Sequence, residues 1–227
     1  MKKVVEVIVL GVKSYSETSI WVCFFSREYG IQNGIIKGGK KKRTKTSVLG
    51  LFDFTLYKPL GNNLQTIVEL ERSVSLDLIY SSPVKVLIAF FMAESYRSTL
   101  VNCGVDASFF EFSSKQIHSL SEEENTGSFP VYFLARLISF LGYAPLSPTE
   151  KVKSFDPING FNSAVPSIKT LDDPLIVIEL YYVFNNREGE LLNQKKVFEA
   201  LINYACHHVP GYKLNKSIEV IRDVLYS

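Results

Sequence analysis

Short apolar segments alternate with polar or glycine-containing turns along the first third of the chain. Five of these segments have the composition of strands, and they cover residues 4–12, 19–26, 31–37, 51–57 and 64–72. In the fourth segment Phe52, Phe54 and Leu56 occupy every second position, so they share one face of a strand. Five short strands separated by turns, without a helical period between them, predict a small antiparallel barrel. The five-stranded oligonucleotide-binding (OB) barrel is the candidate that fits this pattern.

From residue 76 onward the apolar positions follow a helical period. Pro83 is suited to the first turn of a helix, and apolar residues at helical spacing predict helices over 84–100, 107–120, 129–141, 174–184, 195–207 and 216–225. Residues 147–170 contain several prolines and have no clear period, so we expect an irregular loop there. The predicted class is therefore a multi-domain α+β protein. An OB barrel over residues 1–76 precedes an α-helical domain over residues 77–227, with the boundary near 74–83.

A cluster of basic residues follows the third predicted strand. Six of the nine residues from 37 to 45 are basic, and no acidic residue lies between Glu28 and Asp53. The six are Lys37, Lys40, Lys41, Lys42, Arg43 and Lys45. Residues 1–75 carry 12 basic and 6 acidic residues, whereas residues 76–227 carry 13 and 17, so the two parts have net charges of +6 and −4. This asymmetry indicates that the first part binds a polyanion and the second part has another task.

Aromatic side chains are interspersed with the basic residues in the predicted barrel. An OB barrel binds nucleic acid through a positively charged groove and through aromatic rings on which bases stack. The aromatic residues available for this role are Tyr15, Trp21, Tyr29, Phe52, Phe54 and Tyr57. Most of them are expected in the core, in particular Phe52 and Phe54, because these two alternate with polar residues at strand spacing.

Cysteine and hydropathy patterns indicate where the protein acts. Cys23, Cys103 and Cys206 lie far apart and include no CxxC pair, which favours a reducing compartment over a disulfide-bonded or zinc-binding scaffold. The apolar run after Lys3 is interrupted by Glu6 and lacks a signal-peptide cleavage site, and no run is long enough to span a membrane. We therefore expect a cytoplasmic protein.

No pattern of catalytic or metal-binding residues is present. His118, His207 and His208 are the only histidines, and none forms an H-E-x-x-H motif. The segment 122–124 (EEE) has the pattern of a solvated loop, and the glycines near Lys37 lack the spacing of a phosphate-binding P-loop. There is also no G-x-S-x-G nucleophile elbow. The sequence therefore predicts a protein that is not an enzyme and has no metal or cofactor.

Several segments resemble one known family. In the first domain they are residues 15–19 (YSETS), 25–30 (FSREYG), 37–43 (KGGKKKR) and 49–52 (LGLF). In the second they are residues 140–145 (FLGYAP) and 208–217 (HVPGYKLNKS). Their order and content resemble the bacterial recombination mediator family RecO, over nearly the whole chain. The resemblance is more specific than any single motif.

The resemblance implies a non-enzymatic mediator of DNA repair and homologous recombination. Such a protein binds single- and double-stranded DNA, anneals complementary strands and helps to load recombinase onto DNA coated by single-stranded-DNA-binding protein (SSB). It further implies two protein partners, the mediator RecR and the C-terminal tail of SSB, with Arg136 as the anchor for the tail. It also implies association with the nucleoid. Many members carry a four-cysteine zinc module after the segment that matches 140–145. Residues 146–170 contain no cysteine, so we expect this region to hold its shape by packing, through Phe155 and Phe161.

Two other functions agree with the residues alone. The protein could be a structural adaptor, in which the helical domain binds proteins and the basic loop only adds solubility. It could also be an RNA-binding barrel, because the physics of tracking a single strand is shared by RNA and DNA.

Overall fold

The chain forms two compact units, which comprise residues 1–122 and 123–227. The computed structural model describes residues 2–40, 46–57, 64–73, 76–100, 104–146, 152–163, 171–187, 189–213 and 215–227. The contacts group the first three helices with the barrel, whereas the sequence-based division assigns them to the helical domain. In the described part of the chain no helix is long and apolar enough to cross a membrane.

Five strands close into a barrel in the first unit. They are β1 (Lys2–Ser14), β2 (Ile20–Ser26), β3 (Gly30–Ile36), β4 (Leu51–Tyr57) and β5 (Gln65–Arg72). Their order around the barrel is β1-β2-β3-β5-β4, and β4 closes it by pairing with β1. All neighbouring strands are antiparallel except β3 and β5, which are parallel. This arrangement confirms the predicted α+β class with an amino-terminal five-stranded OB barrel. Residues 58–63, which connect β4 and β5 in sequence, lie outside the described residues.

Alternation along each strand fills the barrel interior with apolar side chains. The interior cluster consists of Val5, Val7, Val9, Val22, Phe24, Ile36, Phe52, Phe54, Leu56 and Ile67. Rings of Phe24 and Phe54 meet edge to face with centroids 5.2 Å apart. Phe52 and Phe54 are therefore core residues, and they are not available to bases. The structure confirms the expectation that their strand spacing marks burial.

A second apolar surface lies on the outside of the barrel. Ile8 and Phe25 pair across β1 and β2 and are fully buried, although they alternate with the interior positions. The first unit's helices are α1 (Asp77–Tyr80), α2 (Pro83–Leu100) and α3 (Ala107–Glu122). The Phe25 ring contacts Phe109 and Phe110 of α3, with centroids 5.6 and 6.0 Å away. This outer surface of the barrel is thus closed by α3.

The described residues of the second unit form helices and a short hairpin. Its helices are α4 (Phe129–Phe140), α5 (Pro174–Phe184), α6 (Gln194–His208) and α7 (Lys216–Leu225). Strands β6 (Ser154–Asp156) and β7 (Gly160–Asn162) pair as an antiparallel hairpin. The expectation of an irregular loop over 147–170 therefore needs correction at residues 154–162. Strands of only three residues are too short to produce a recognisable alternation.

Aromatic packing holds this hairpin in place. Phe155 and Phe161 are 0% and 6% exposed, and their ring centroids lie 5.1 Å apart. Phe155 also contacts Tyr204 of α6 at 5.6 Å, and Phe161 contacts Tyr181 of α5 at 5.8 Å. The structure thus confirms the expectation that these two phenylalanines fix the segment by packing.

Candidate nucleic-acid interface

The basic segment begins at one end of the barrel, beside the turn between β1 and β2. Lys37 directly follows β3, and the Lys40 amide donates a hydrogen bond of 3.1 Å to the Thr18 carbonyl. Both lysine side chains are exposed. The start of the segment is therefore attached to the barrel, and its first two cations face solvent. Lys41, Lys42, Arg43 and Lys45, the other predicted DNA-binding residues, lie outside the described residues.

A row of outward-facing residues crosses the barrel close to Lys37. Pairing aligns Lys13 with Trp21, Trp21 with Ile35, Ile35 with Thr66 and Thr66 with Tyr57. Next to each of these five residues in sequence is a residue whose side chain packs in or against the interior cluster. Because successive side chains of a strand point to opposite faces, the five residues of the row lie on the outer wall of the barrel. Two of the six aromatic candidates, Trp21 and Tyr57, belong to it.

The remaining aromatic candidates lie elsewhere. Tyr15 is 57% exposed in the β1–β2 turn. Tyr29 lies under the ammonium group of Lys3, which is 4.9 Å from its ring centroid and also pairs with Glu28. Tyr29 is thus already engaged by a cation that is itself paired with a carboxylate, and Phe52 and Phe54 are in the core.

Lys13 covers the ring of Trp21. The lysine ammonium lies 4.3 Å from the indole centroid, which is a cation–π contact. Lys13 is exposed and Trp21 is half-buried. The indole is therefore fixed on β2, and the exposed side chain of Lys13 lies over its ring.

Arg97, on helix α2, brings a further cation to this place. A Cβ atom at position 11 would lie 3.3 Å from the Arg97 Nη1 and 3.9 Å from both Trp21 Cζ3 and Cys23 Cβ. Burial raises the pKa of the Cys23 thiol, and the positive charges of Arg97 and Lys13 oppose that rise. Both cations thus lie close to the same part of β2. In the described part of the chain, neither forms an ion pair with a carboxylate.

Sequence reasoning missed Arg97. The residue follows the barrel strands by many positions and has no basic neighbour in sequence, so only the packing of α2 against β1 reveals its position. The local signal for its position is Gly11, because a glycine inside a strand often marks a bulge or the close approach of another group. The pairing of β1 with β2 is indeed irregular between Val9 and Gly11.

Arg136 lies on α4 in the second unit, where it is half-buried and its guanidinium carbon is 5.8 Å from the Tyr132 ring centroid. Its proposed role as an anchor for a partner's tail stays a prediction.

His207 and His208 have separate partners: His207 Nδ1 lies 2.8 Å from the Asn203 carbonyl, while His208 stacks on Tyr204 and its Nε2 is 3.1 Å from the Pro157 carbonyl. Among the described residues no group of three or more His, Cys, Asp or Glu side chains could hold a metal.

Comparison with known proteins connects this architecture to one family. Residues 1–74 match the family model described as Recombination protein O N terminal. The chain is 22% identical to the DNA repair protein RecO of Flavobacterium psychrophilum over 96% of each chain. It is 25% identical to RecO of Porphyromonas gingivalis over 94% of this chain and 95% of the relative. With RecO of Chloroherpeton thalassium it shares 29% identity over 61% of this chain and 55% of the relative. The match of residues 1–74 and the nearly full-length similarities to DNA repair proteins named RecO agree with the sequence resemblance.

Proposed function

We propose that this protein is a non-enzymatic mediator of DNA repair and homologous recombination, in which the barrel binds DNA through its basic segment. The relatives it matches over nearly their full length are named DNA repair proteins. The observation that carries the proposal is the attachment of Lys37 and Lys40 to the end of an OB barrel, with both side chains exposed. Cations held at a barrel surface neutralise phosphates without regard to base sequence, which a general repair factor needs.

The finer activities follow from the same proposal. A protein that holds two strands by their phosphates lowers their mutual repulsion, and so promotes the annealing of complementary strands. Transfer of DNA from SSB to recombinase requires contacts to protein partners, for which we propose RecR and the C-terminal tail of SSB. Arg136 is the proposed anchor of the tail, and the nucleoid in the cytoplasm is the proposed site of action.

The salt dependence of DNA binding tests the role of the basic segment. Each phosphate contact contributes about 0.7 to 0.9 to the slope of log affinity against log salt, so the combined change of Lys40, Lys41 and Lys42 to glutamate should reduce that slope by about 2 to 3. A matched control carries the same change at Lys195, Lys196 and Lys213, which are exposed lysines of the second unit. Its slope should stay that of the unmodified protein. If both triple variants bind alike, the basic segment has no part in DNA binding.

A strand-annealing assay tests the wider proposal. Complementary oligonucleotides coated with full-length SSB should anneal faster when the protein is added, and the acceleration should shrink with SSB that lacks its C-terminal tail. Arg136→Ala should reduce the acceleration with full-length SSB only. Competition between matched single-stranded DNA and RNA separates this function from that of an RNA-binding barrel.

One observation favours the alternative of a protein-interaction adaptor. Leu175, Ile178 and Tyr182 of α5 are 58%, 44% and 41% exposed and lie on one face of the helix at spacings of three and four. Such an apolar stripe is typical of a protein-binding surface. An adaptor would retain its partners in a pull-down from nuclease-treated lysate and would not bind DNA when purified.

A further inference from the structure

We infer that Trp21, Lys13 and Arg97 form a subsite for one unpaired nucleotide, in which the base stacks on the indole and the two cations hold the adjoining phosphates. The subsite makes this part of the barrel selective for single strands over duplex. The inference rests on the proposed DNA-binding function and adds to it a place, a substrate class and a residue outside the barrel strands.

The position of Arg97 is the first step of the argument. Helix α2 reaches the barrel at β1, and the absence of a side chain at Gly11 leaves space in which the Arg97 guanidinium approaches the wall next to Trp21. A Cβ atom there would be 3.3 Å from Nη1, a distance tighter than most contacts of real Cβ atoms. Gly11 therefore permits a long cationic side chain to lie against the strand, beside an aromatic ring.

The chemistry of the three side chains fits an unpaired nucleotide. An indole offers a flat apolar surface, and Lys13 and Arg97 place positive charge beside it, without a carboxylate paired to either in the described part of the chain. A base within a duplex is stacked between its neighbours, so its face is not available to the indole. Only an unpaired base can use Trp21, whereas the phosphates of either form can use the cations.

The contact between Lys13 and Trp21 does not oppose binding. A cation–π contact at an exposed site is worth about 0.5 to 1 kcal/mol, and a base stacked on an aromatic side chain about 1 to 3 kcal/mol. A base should therefore replace the Lys13 ammonium over the ring. Lys13 is exposed and flexible, so the displaced ammonium can move to the phosphate of the same nucleotide. The same side chain thus covers the ring in the free protein and neutralises charge in the complex.

Trp21 is the only tryptophan of the chain, so fluorescence excited at a wavelength that tryptophan absorbs and tyrosine does not reports on this subsite. The protein is titrated at constant salt with three probes of equal length: a single-stranded oligodeoxynucleotide, its duplex, and a single strand of abasic sites. Binding of each labelled probe is followed in parallel by fluorescence anisotropy. All three probes should bind, and only the single-stranded oligodeoxynucleotide, whose bases are present and unpaired, should quench the fluorescence of Trp21. Binding of all three with equal quenching, or with none, would overturn the inference and leave the proposed function intact.

Variants complete the test. Trp21→Ala should weaken single-strand binding by about 5- to 150-fold and leave duplex binding within about 2-fold, whereas Trp21→Phe should retain most of the affinity. Arg97→Gln should lower the single-strand salt slope by about 0.7, with Lys115→Gln, an exposed cation of α3, as the control for lost charge. Far-ultraviolet circular dichroism confirms folding of each variant. An unchanged ratio of single-strand to duplex affinity in folded Trp21→Ala would refute the subsite, and failure of every probe to bind would refute it together with the proposed function.

Discussion

Gly34→Ala should destabilise the barrel because the interior has no room for a methyl group at this position. Gly34 lies on β3, where it pairs with Val22 of β2 and Gln65 of β5. A Cβ atom there would lie 2.8 Å from Ile67 Cδ1, 3.0 Å from Ile67 Cγ1 and 3.2 Å from Phe24 Cε1. Carbon atoms prefer separations of about 3.5 to 4.0 Å. Three contacts are thus too short at once.

The neighbours of Gly34 cannot move aside easily. Phe24 and Ile67 are 0% and 2% exposed and belong to the interior cluster, so relief of the clash must displace other core side chains. Overpacking of this kind costs about 1 to 3 kcal/mol. Replacing glycine by alanine also restricts the unfolded chain, which offsets about 0.4 to 1 kcal/mol. Taking the middle of each range, the expected net loss in the free energy of unfolding is about 1 to 2 kcal/mol.

Urea denaturation followed by Trp21 fluorescence measures this loss, because Trp21 pairs with Ile35, the residue next to Gly34. The midpoint should fall by about 0.5 to 1 M for the slope typical of small proteins. Gly104→Ala is the matched control, since a Cβ atom at position 104 would meet nothing within 4 Å. Its midpoint should be unchanged or slightly raised. A Gly34→Ala midpoint equal to that of the control would show that the core yields to the methyl group and would refute the reasoning.

Two further predictions concern helix ends. Glu179 is 9% exposed, and its carboxylate accepts hydrogen bonds of 2.7 and 3.2 Å from the Leu192 and Asn193 amides ahead of α6, so Glu179→Ala should cost about 2 to 4 kcal/mol in urea denaturation. Exposed Glu190→Ala should cost almost nothing, and equal losses would contradict this role. The Asp106 carboxylate accepts a hydrogen bond from the Phe109 amide at the start of α3, so Asp106→Ala should cost about 1 kcal/mol at pH 7. Hydrogen bonds from Ser108 and that amide lower the pKa of Asp106 below its usual 3.8, so its contribution is present above that pH and is lost as the pH falls through the lowered pKa. A difference from the unmodified protein that does not shrink as the pH falls into the acid range would contradict this assignment.

Local patterns were sufficient to predict the barrel and the principal helices. Alternation in residues 51–57 identifies β4 and its inward face, because the side chains of a strand alternate whatever its neighbours are. The helical period likewise predicts α2, α3 and α5, with differences of a few residues at their ends. The four-residue helix α1 and the hairpin of β6 and β7 were missed, because neither is long enough to repeat a pattern.

The candidate site could be inferred from the sequence only where its residues are continuous in sequence. Lys37 and Lys40 are recognisable because they belong to a run of basic residues, and Trp21 because it is an aromatic residue on a predicted strand. Arg97 comes close to Trp21 only because helix α2 packs on the barrel, and many residues separate the two in sequence. The need for a glycine at position 11 likewise becomes clear only from the position of Arg97 beside it. Binding sites assembled from distant segments therefore escape reasoning from local patterns, even when every contributing element is correctly predicted.

The hairpin of the second unit shows how packing can supply the constraint that a metal site supplies in other proteins. A structural zinc fixes a short segment by joining side chains that are distant in sequence. Here Phe155 joins β6 to α6 through its contact with Tyr204, and its backbone exchanges hydrogen bonds of 2.9 and 2.8 Å with Leu171. Burial of a phenylalanine contributes about 1.5 to 3 kcal/mol, and each favourable ring pair about 0.5 to 1.5 kcal/mol. Phe155 contacts two rings and Phe161 contacts three. Their combined contribution is therefore large enough to hold a hairpin of two three-residue strands, and the segment needs no cysteine to do so.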